Sequence, residues 1–261
     1  MIKLMQGDCL ERMKEIESGS VDLTVTSPPY DNLRSYNGNN EFWGERVWKE
    51  VLKELFRITK EGGVVVWVVG DKTINGSETG TSFKQALYAM DCGFKLNDTM
   101  IFRKNNPIPT DKKYRYNQCF EYMFVLTKGR NRTFNAIFEP TRSNRKYKSS
   151  WGRGLDDKMI LNTGKDRQTK KEKVKDNIFN YSISKGGATK DRQAFKHPAI
   201  FPESLANDHI LSWSNEGDLV FDPFMGSGTT GKMAKINNRS FIGIELDHDY
   251  FEVAKERINN A

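Results

Sequence analysis

Two short motifs, nearly two hundred residues apart, carry the residue types that could do chemistry. The first is Thr26-Ser27-Pro28-Pro29-Tyr30, which follows the apolar run 21–25. Two consecutive prolines can neither continue a helix nor donate to a sheet ladder, so the predicted strand must end at Ser27. The turn then offers a hydroxyl, carbonyl acceptors and one aromatic ring, which suit a flat, amino-bearing substrate such as a nucleobase. Taken alone, the pentapeptide favours a simpler interpretation, a loop end with a packed tyrosine.

The second motif, Asp222-Pro223-Phe224-Met225-Gly226-Ser227-Gly228-Thr229-Thr230, lies between a predicted strand and a predicted helix. Its glycines let the backbone turn sharply and approach a ligand without a Cβ in the way. Glu245 ends the next predicted strand, nineteen residues after Gly226, where an acid can accept hydrogen bonds from ribose hydroxyls. The pattern therefore predicts a nucleoside cofactor.

Three nucleoside cofactors compete for this second motif. The letters G-S-G-T-T-G match a dinucleotide pattern, so NAD has to be considered, but Asp222 before the glycines would repel a pyrophosphate. An ATP-binding P-loop fits poorly because Met233 stands where a hydroxyl should follow Lys232. S-adenosyl-L-methionine carries ribose, an ammonium group and a sulfonium but no phosphate, and it fits best. A glycine-rich connection without function is the alternative for this motif alone.

Together, the two motifs resemble the catalytic and cofactor motifs of amino-methylating DNA methyltransferases. Their order, with a variable basic region between them, is similar to the β class of that family. The resemblance implies an α/β fold with a Rossmann-like, seven-stranded sheet and six helices, S-adenosyl-L-methionine as cofactor, and double-stranded DNA as substrate. It also implies a restriction-modification context, in which a cognate restriction endonuclease and a homodimer are further partners to consider.

The resemblance also suggests roles for individual residues. The Ser27 hydroxyl and the Pro28 carbonyl would accept both N–H bonds of the target amine, and Tyr30 would stack on an extruded base. The segment 117–122 resembles the motif that lines the base pocket, where Glu121 is either a structural ion pair or a functional group. The predicted catalytic residues are Ser27, Pro28, Pro29 and Tyr30. The predicted cofactor-binding residues are Asp8, Thr26, His197, Phe201, Asp222, Phe224, Gly226, Ser227, Gly228, Thr229 and Glu245.

Serine at the first catalytic position resembles the N4-cytosine members of the family, whereas Asp or Asn is usual in the N6-adenine members. We therefore expect methyl transfer to N4 of a flipped cytosine, with N6-adenine as the alternative. Arg34 and Tyr36 are candidate wall residues near the base, although an ordinary loop role is the simpler interpretation. Lower alternatives are an NAD-dependent oxidoreductase, a non-catalytic nucleic-acid-binding protein, and methylation of RNA or protein.

Positive charge is concentrated in one segment of the chain. Residues 128–196 hold 19 Lys and Arg against 7 Asp and Glu, so this segment carries +12. Since the whole chain carries +7, the remainder carries −5. A basic segment on an acidic body suits a module that binds a polyanion, although charge runs are also common in solvated loops. We predict a catalytic part at 1–128, an inserted target-recognition region at 129–195 and a cofactor-binding part at 196–261.

The remaining sequence predicts the elements that position the two motifs. Strand-like runs alternate with helical stripes at both ends of the chain, which is typical of a three-layer, mostly parallel α/β sheet. The β-branched run 64–69 predicts a strand that is buried on both faces. Residues 94–102 and 119–127 predict an antiparallel edge pair.

Several sequence features are absent, and their absence bears on the expected location and metal content of the protein. The longest apolar run is shorter than the roughly 18 residues of a membrane span, and the first residues lack the apolar core of a secretory signal. Cys9, Cys92 and Cys119 show no metal or disulfide spacing, and the three histidines make no metal motif. We therefore expect a cytoplasmic protein without a membrane partner or a metal site.

Overall fold

The computed structural model describes residues 1–30, 43–107, 115–141, 146–148, 151–153, 159–161, 166–168, 170–184, 186–199 and 201–261. Within these residues, eight strands form the main sheet and six α-helices accompany it. The strands are β1 (Ile2–Gln6), β2 (Val21–Thr26), β3 (Thr59–Val69), β4 (Lys95–Lys104), β5 (Phe120–Thr127), β6 (Ile178–Tyr181), β7 (Leu219–Asp222) and β8 (Ser240–Glu245). The helices are α1 (Cys9–Met13), α2 (Glu45–Ile58), α3 (Thr81–Asp91), α4 (Glu203–Trp213), α5 (Thr229–Ile236) and α6 (His248–Asn259). Arg34 and Tyr36 lie outside the described residues.

The strands of the main sheet follow the order β1-β8-β7-β2-β3-β5-β4-β6. All neighbours are parallel except β5, which runs antiparallel to both β3 and β4. The predicted mostly parallel sheet is therefore confirmed, and β4 and β5 form the predicted antiparallel pair. Their predicted place at the edge of the sheet is wrong, because β6 is the edge strand. The predicted strand count of seven is one too low, because β6 adds a parallel strand outside β4. This four-residue strand lies in a polar stretch that had no recognisable strand pattern.

Helices cover both faces of the sheet. Every residue of the run Val64–Val69 is at most 1% exposed, as the sequence predicted. Its odd-numbered members pack in a cluster with apolar residues of α1, α2 and α3. Successive side chains of a strand point to opposite faces, so the even-numbered members face the second layer. On that face, Met123 of β5 lies 3.2 Å from His209 of α4, and α5 packs against both α4 and α6.

The chain divides into two compact units, one formed by residues 1–135 and 177–261 and the other by residues 136–176. The smaller unit lies inside the segment 129–195 that the sequence singled out. Its described strands pair in a nested, antiparallel way, and we call this unit the ribbon. The pairs are Phe138–Pro140 with Glu172–Val174, Lys146–Lys148 with Asp166–Gln168, and Trp151–Arg153 with Met159–Leu161.

None of the helices in the described ranges is both long enough and apolar enough to cross a membrane.

Candidate functional site

The two motifs meet because β2 and β7 are adjacent, parallel strands. Val220 and Phe221 of β7 lie opposite Leu23 and Thr24 of β2, so the carboxyl ends of both strands reach the same edge of the sheet. There, Thr26 Oγ1 donates to Asp222 Oδ1 over 2.7 Å in a buried hydrogen bond. The turns that follow the two strands open onto one cavity of about 1050 Å³.

Most residues that the sequence predicted for the site line this cavity. Thr26, Pro28 and Gly228 are buried and are not part of the lining. Asp8 lines the cavity, and its Oδ1 also caps α1 by accepting from Leu10 N over 2.9 Å. The predicted residues in the lining are Asp8, Ser27, Pro29, Tyr30, His197, Phe201, Asp222, Phe224, Gly226, Ser227, Thr229 and Glu245.

Gly226 is a closely packed position in the glycine-rich turn. Its φ of +49° lies in the left-handed region, which favours glycine, and its N–H donates to Glu245 Oε2 over 2.8 Å. A Cβ at this position would lie 3.0 Å from Nε2 of His197. The His197 ring in turn packs edge-on against Tyr250, with centroids 4.5 Å apart. His197 therefore supports the turn by direct contact.

Two carboxyl groups flank this turn, that of buried Asp222 and that of partly buried Glu245. Burial raises the pKa of Asp222 to about 6, although the hydrogen bonds from Thr26 and the Phe224 N–H oppose the shift. Burial likewise raises the pKa of Glu245 to about 7, against hydrogen bonds from the N–H groups of Asp247 and Gly226. Such carboxylates attract hydroxyl and ammonium donors and repel phosphate. The pair therefore fits a ligand with ribose hydroxyls and an ammonium group, as S-adenosyl-L-methionine has.

Trp43 places an unsatisfied donor beside the cavity. Its Nε1 atom is buried, and within the part of the chain that the structure describes no acceptor reaches it. The indole lies in the cavity lining and meets Phe224 edge-on, with ring centroids 5.2 Å apart. A buried donor without a partner is costly, so this N–H is an unsatisfied group beside the cavity.

Arg257 of α6 holds the glycine-rich loop from behind, a role that sequence reasoning missed. Its side chain is 1% exposed and donates to the carbonyl oxygen of Ser227. It also forms ion pairs of 2.7 Å with Asp191 and 3.1 Å with Glu203. Arg257 lies on the buried face of α6, where the other residues are apolar or aromatic: Tyr250, Val253, Ala254 and Ile258. A charged residue within an apolar helical stripe was therefore the sequence signal for its role.

The catalytic motif belongs to a polar chain of four side chains. Ser27 Oγ lies 2.8 Å from Tyr30 Oη. The Tyr30 hydroxyl has two acceptors within hydrogen-bond distance, Glu121 Oε2 at 3.0 Å and the Val68 carbonyl at 3.2 Å. Glu121 Oε1 forms a 2.7 Å ion pair with Lys104. Glu121 is thus in an ion pair and in contact with the catalytic turn at the same time. Sequence reasoning missed Lys104, which has no motif signal of its own.

The cysteine that lines the cavity offers no thiolate. Burial raises the pKa of Cys9 to about 12, so its side chain remains a neutral thiol near neutral pH. A thiol in that state is a poor nucleophile, which disfavours a covalent intermediate on Cys9.

An open α/β sheet with a cavity at the carboxyl ends of its parallel strands, lined by a glycine-rich turn and a Ser-Pro-Pro-Tyr turn, is typical of ligand-binding enzymes of the Rossmann-like class. The profile of the N6/N4 DNA methylase family, described as DNA methylase, matches residues 21–256. The chain belongs to this family, and it is a DNA amino-methyltransferase that uses S-adenosyl-L-methionine.

Individual relatives agree with this assignment. The chain is 51% identical over 252 residues to orphan methyltransferase M.BamHII of Bacillus amyloliquefaciens, covering 95% of this chain and 92% of that protein. It is similar to the structure of M1.HpyAVI in complex with SAM, with a TM-score of 0.64, 25% identity and coverage of 99% and 100%. It shares its fold with the cytosine-N4-specific PvuII DNA methyltransferase, with a TM-score of 0.71, 20% identity and coverage of 98% and 86%.

The contact between Gly226 and His197 gives a first prediction. We expect Gly226→Ala to destabilise the protein by about 2 kcal/mol, because the new Cβ adds steric conflict to the left-handed backbone strain of about 1 kcal/mol. Gly19→Ala is the matched control, since Gly19 has a φ of +64° and nothing within 4 Å of its Cβ position. Urea unfolding of both variants measures the difference. Equal losses would show that the His197 contact contributes nothing.

The buried arginine gives a second prediction. We expect Arg257→Met to destabilise the fold by about 2 kcal/mol, because Asp191 and Glu203 each lose a charged donor while Lys232 stays 2.8 Å from Glu203. The Ser227 carbonyl also loses a donor, so the affinity for S-adenosyl-L-methionine should fall. Urea unfolding and calorimetric titration measure the two effects. Lys14→Met is the control because its ion pair with Glu11 is exposed, and it should leave both measurements nearly unchanged.

Proposed function

We propose that the chain transfers the methyl group of S-adenosyl-L-methionine to the exocyclic N4 of a cytosine that has been flipped out of double-stranded DNA. The observation that carries this proposal is the identity of the first catalytic side chain. Ser27 lines the cavity with a hydroxyl, a weaker acceptor than a carboxylate. The cofactor supplies an electrophilic methyl group when it is bound.

The chain's own residues prepare the amine. The lone pair of an exocyclic amino nitrogen is delocalised into the base, so the nitrogen is a poor nucleophile. Acceptance of an N–H bond by the Ser27 hydroxyl would favour a tetrahedral nitrogen with an available lone pair. The Pro28 carbonyl, predicted as the second acceptor, belongs to a residue that does not line the cavity, so Ser27 carries the proposal. Tyr30 would hold the base by stacking. With both partners aligned in one cavity, positioning supplies much of the acceleration.

The glycine-rich side of the cavity would hold the cofactor. Glu245 and Asp222 would accept from the ribose hydroxyls and the ammonium group. Their carboxylates suit these donors and would repel a phosphate group. The Gly226 turn allows the ligand to approach the backbone closely, and His197 and Phe201 would flank the methionine end. Asp8, Phe224, Ser227 and Thr229 complete the proposed pocket.

The basic segment would bind the DNA. Flipping a base costs a few kcal/mol, and phosphate contacts from a segment with a charge of +12 can offset that cost. The nested antiparallel strands of the ribbon suit this role, because a two-stranded ribbon fits the major groove. We propose residues 129–195 as the target-recognition region. The homodimer, the cognate restriction endonuclease and the cytoplasmic location stay predictions.

The methylated base tests the proposal directly. DNA from cells that express the protein should contain N4-methylcytosine at one short sequence, as measured by mass analysis of nucleosides and by sequencing with modified-base detection. Ser27→Ala should lower the methylation rate about a hundredfold or more, because the amine loses one acceptor. N6-methyladenine alone would identify adenine as the target instead. A Ser27→Ala enzyme with the wild-type rate would contradict the role of Ser27.

The raised pKa of Glu245 predicts how cofactor binding depends on pH. With a pKa of about 7, this carboxyl is mostly protonated at pH 6 and mostly ionised at pH 7.5. Ionisation destabilises the free protein as the pH rises through that range, and hydroxyl and ammonium donors stabilise the ionised form. We expect calorimetry to show binding that is about five times tighter at pH 7.5 than at pH 6.

Glu245→Gln is the control for this pH dependence. The variant should bind more weakly and should lose most of the dependence between pH 6 and pH 7.5. What remains comes from Asp222, whose pKa is about 6, and from the ligand itself. The same pH dependence in both proteins would exclude Glu245 as its source.

A further inference from the structure

A serine hydroxyl both donates and accepts, and only one of these polarities suits a substrate amine. We propose that Glu121 and Lys104 are positioning residues that fix the direction of the hydrogen bond between Ser27 and Tyr30, so that Ser27 presents its lone pairs to the amine. This inference rests on the proposed role of Ser27 as an acceptor. It assigns the ion pair a function in the reaction rather than in folding alone.

The direction of the chain follows from its donors and acceptors. Tyr30 has one hydroxyl proton, and the carboxylate of Glu121 at 3.0 Å is a stronger acceptor than the Val68 carbonyl at 3.2 Å. When Tyr30 donates to Glu121, its oxygen can only accept from Ser27, 2.8 Å away. The Ser27 proton then points to Tyr30, and the remaining lone pairs of Ser27 Oγ are available to a substrate N–H.

Lys104 holds the carboxylate in the orientation that this chain requires. A lysine ammonium has three donors and no acceptor, so it takes Glu121 Oε1 at 2.7 Å and leaves Oε2 for Tyr30. The side chains of Lys104 and Glu121 are only 19% and 18% exposed. Limited access to water strengthens the charge-assisted bonds of this pair relative to those of a surface pair.

The backbone makes room for this arrangement at Gly70, directly after β3. A Cβ at Gly70 would lie 3.3 Å from Cγ of Glu121 and 3.7 Å from Cε2 of Tyr30. The absence of a side chain thus lets β5 and the catalytic turn bring their side chains within hydrogen-bond distance. Ser27, Tyr30, Lys104 and Glu121 all line the same cavity.

Glu121→Gln is the sharpest perturbation because Lys104 determines how the new amide must turn. Lys104 can only donate, so it keeps the amide oxygen of residue 121 and directs the amide NH₂ toward Tyr30. The Tyr30 hydroxyl then donates its hydrogen bond either to Ser27 or to the Val68 carbonyl. When Ser27 accepts a hydrogen bond from Tyr30, the hydroxyl hydrogen of Ser27 points toward the substrate N–H. Two donors then face each other, and Ser27 cannot accept from the amine.

The experiment measures single-turnover methylation at saturating DNA and cofactor, with DNA and cofactor affinities measured separately. We expect Glu121→Gln and Tyr30→Phe each to slow the reaction about tenfold, with affinities changed less than threefold, because the stacking ring is retained. Since Glu121 acts through the Tyr30 hydroxyl, the double variant should be no slower than Tyr30→Phe alone. Adding Lys104→Met to Glu121→Gln should raise the single-turnover rate about threefold above that of Glu121→Gln alone, because the amide can then turn its oxygen toward Tyr30.

The controls separate this inference from folding and from the proposed function. Glu54→Gln removes a partner from the half-buried ion pair with Arg57 on α2, away from the cavity, and should keep the wild-type rate. Urea unfolding of every variant checks its stability. Three outcomes would overturn the inference. They are a double variant whose rate loss is the product of the two single losses, a wild-type rate for Glu121→Gln, and no increase in rate when Lys104→Met is added. A wild-type rate for Ser27→Ala would instead contradict the proposed function.

Discussion

The buried hydrogen bond between Thr26 and Asp222 is the contact on which the site depends. The two residues end neighbouring strands and are separated by 196 positions in the chain. Asp222 Oδ1 also accepts from the Phe224 N–H over 3.0 Å, so one oxygen atom joins the end of β2 to the loop after β7. A second bond, from Thr230 Oγ1 to the Val25 carbonyl over 3.2 Å, ties the start of α5 to the same strand. Parallel pairing thus brings both motifs to one cavity, and these side chains hold them there.

Three different electrostatic environments surround that cavity. On the cofactor side, burial raises the pKa values of Asp222 and Glu245, which favours ligands with hydroxyl and ammonium donors. Behind the glycine-rich loop, the charge of Arg257 is balanced by acids, so the loop is held without exposing a cation to the ligand. Beside the catalytic turn, the ion pair of Lys104 and Glu121 contacts Tyr30. One cavity therefore combines acidic groups that suit a cationic ligand with a serine hydroxyl that is hydrogen-bonded beside an ion pair.

Local chemistry made much of this arrangement predictable. The two prolines after Ser27, the β-branched run of β3 and the glycines after Asp222 each constrain their own segment, and the structure has the corresponding elements. Long-range contacts were not accessible in the same way. The strand β6 depends on pairing with β4, and the contact of Lys104 with Glu121 depends on the register of β4 and β5. For Arg257, the apolar stripe of α6 was a usable sign, but the partners of the charge lie far away in the chain.

The ribbon leaves and re-enters the larger unit at two asparagines that are anchored within that unit. Asn135 donates from its backbone N–H to the Ser212 carbonyl and from its side chain to the Leu211 carbonyl, and Asn177 donates to Asp98. Because these anchors use no group of the intervening segment, its length and composition can diverge while both attachment points stay in place. Under the proposed role of the ribbon in target recognition, sequence preference could change by exchange of this segment alone.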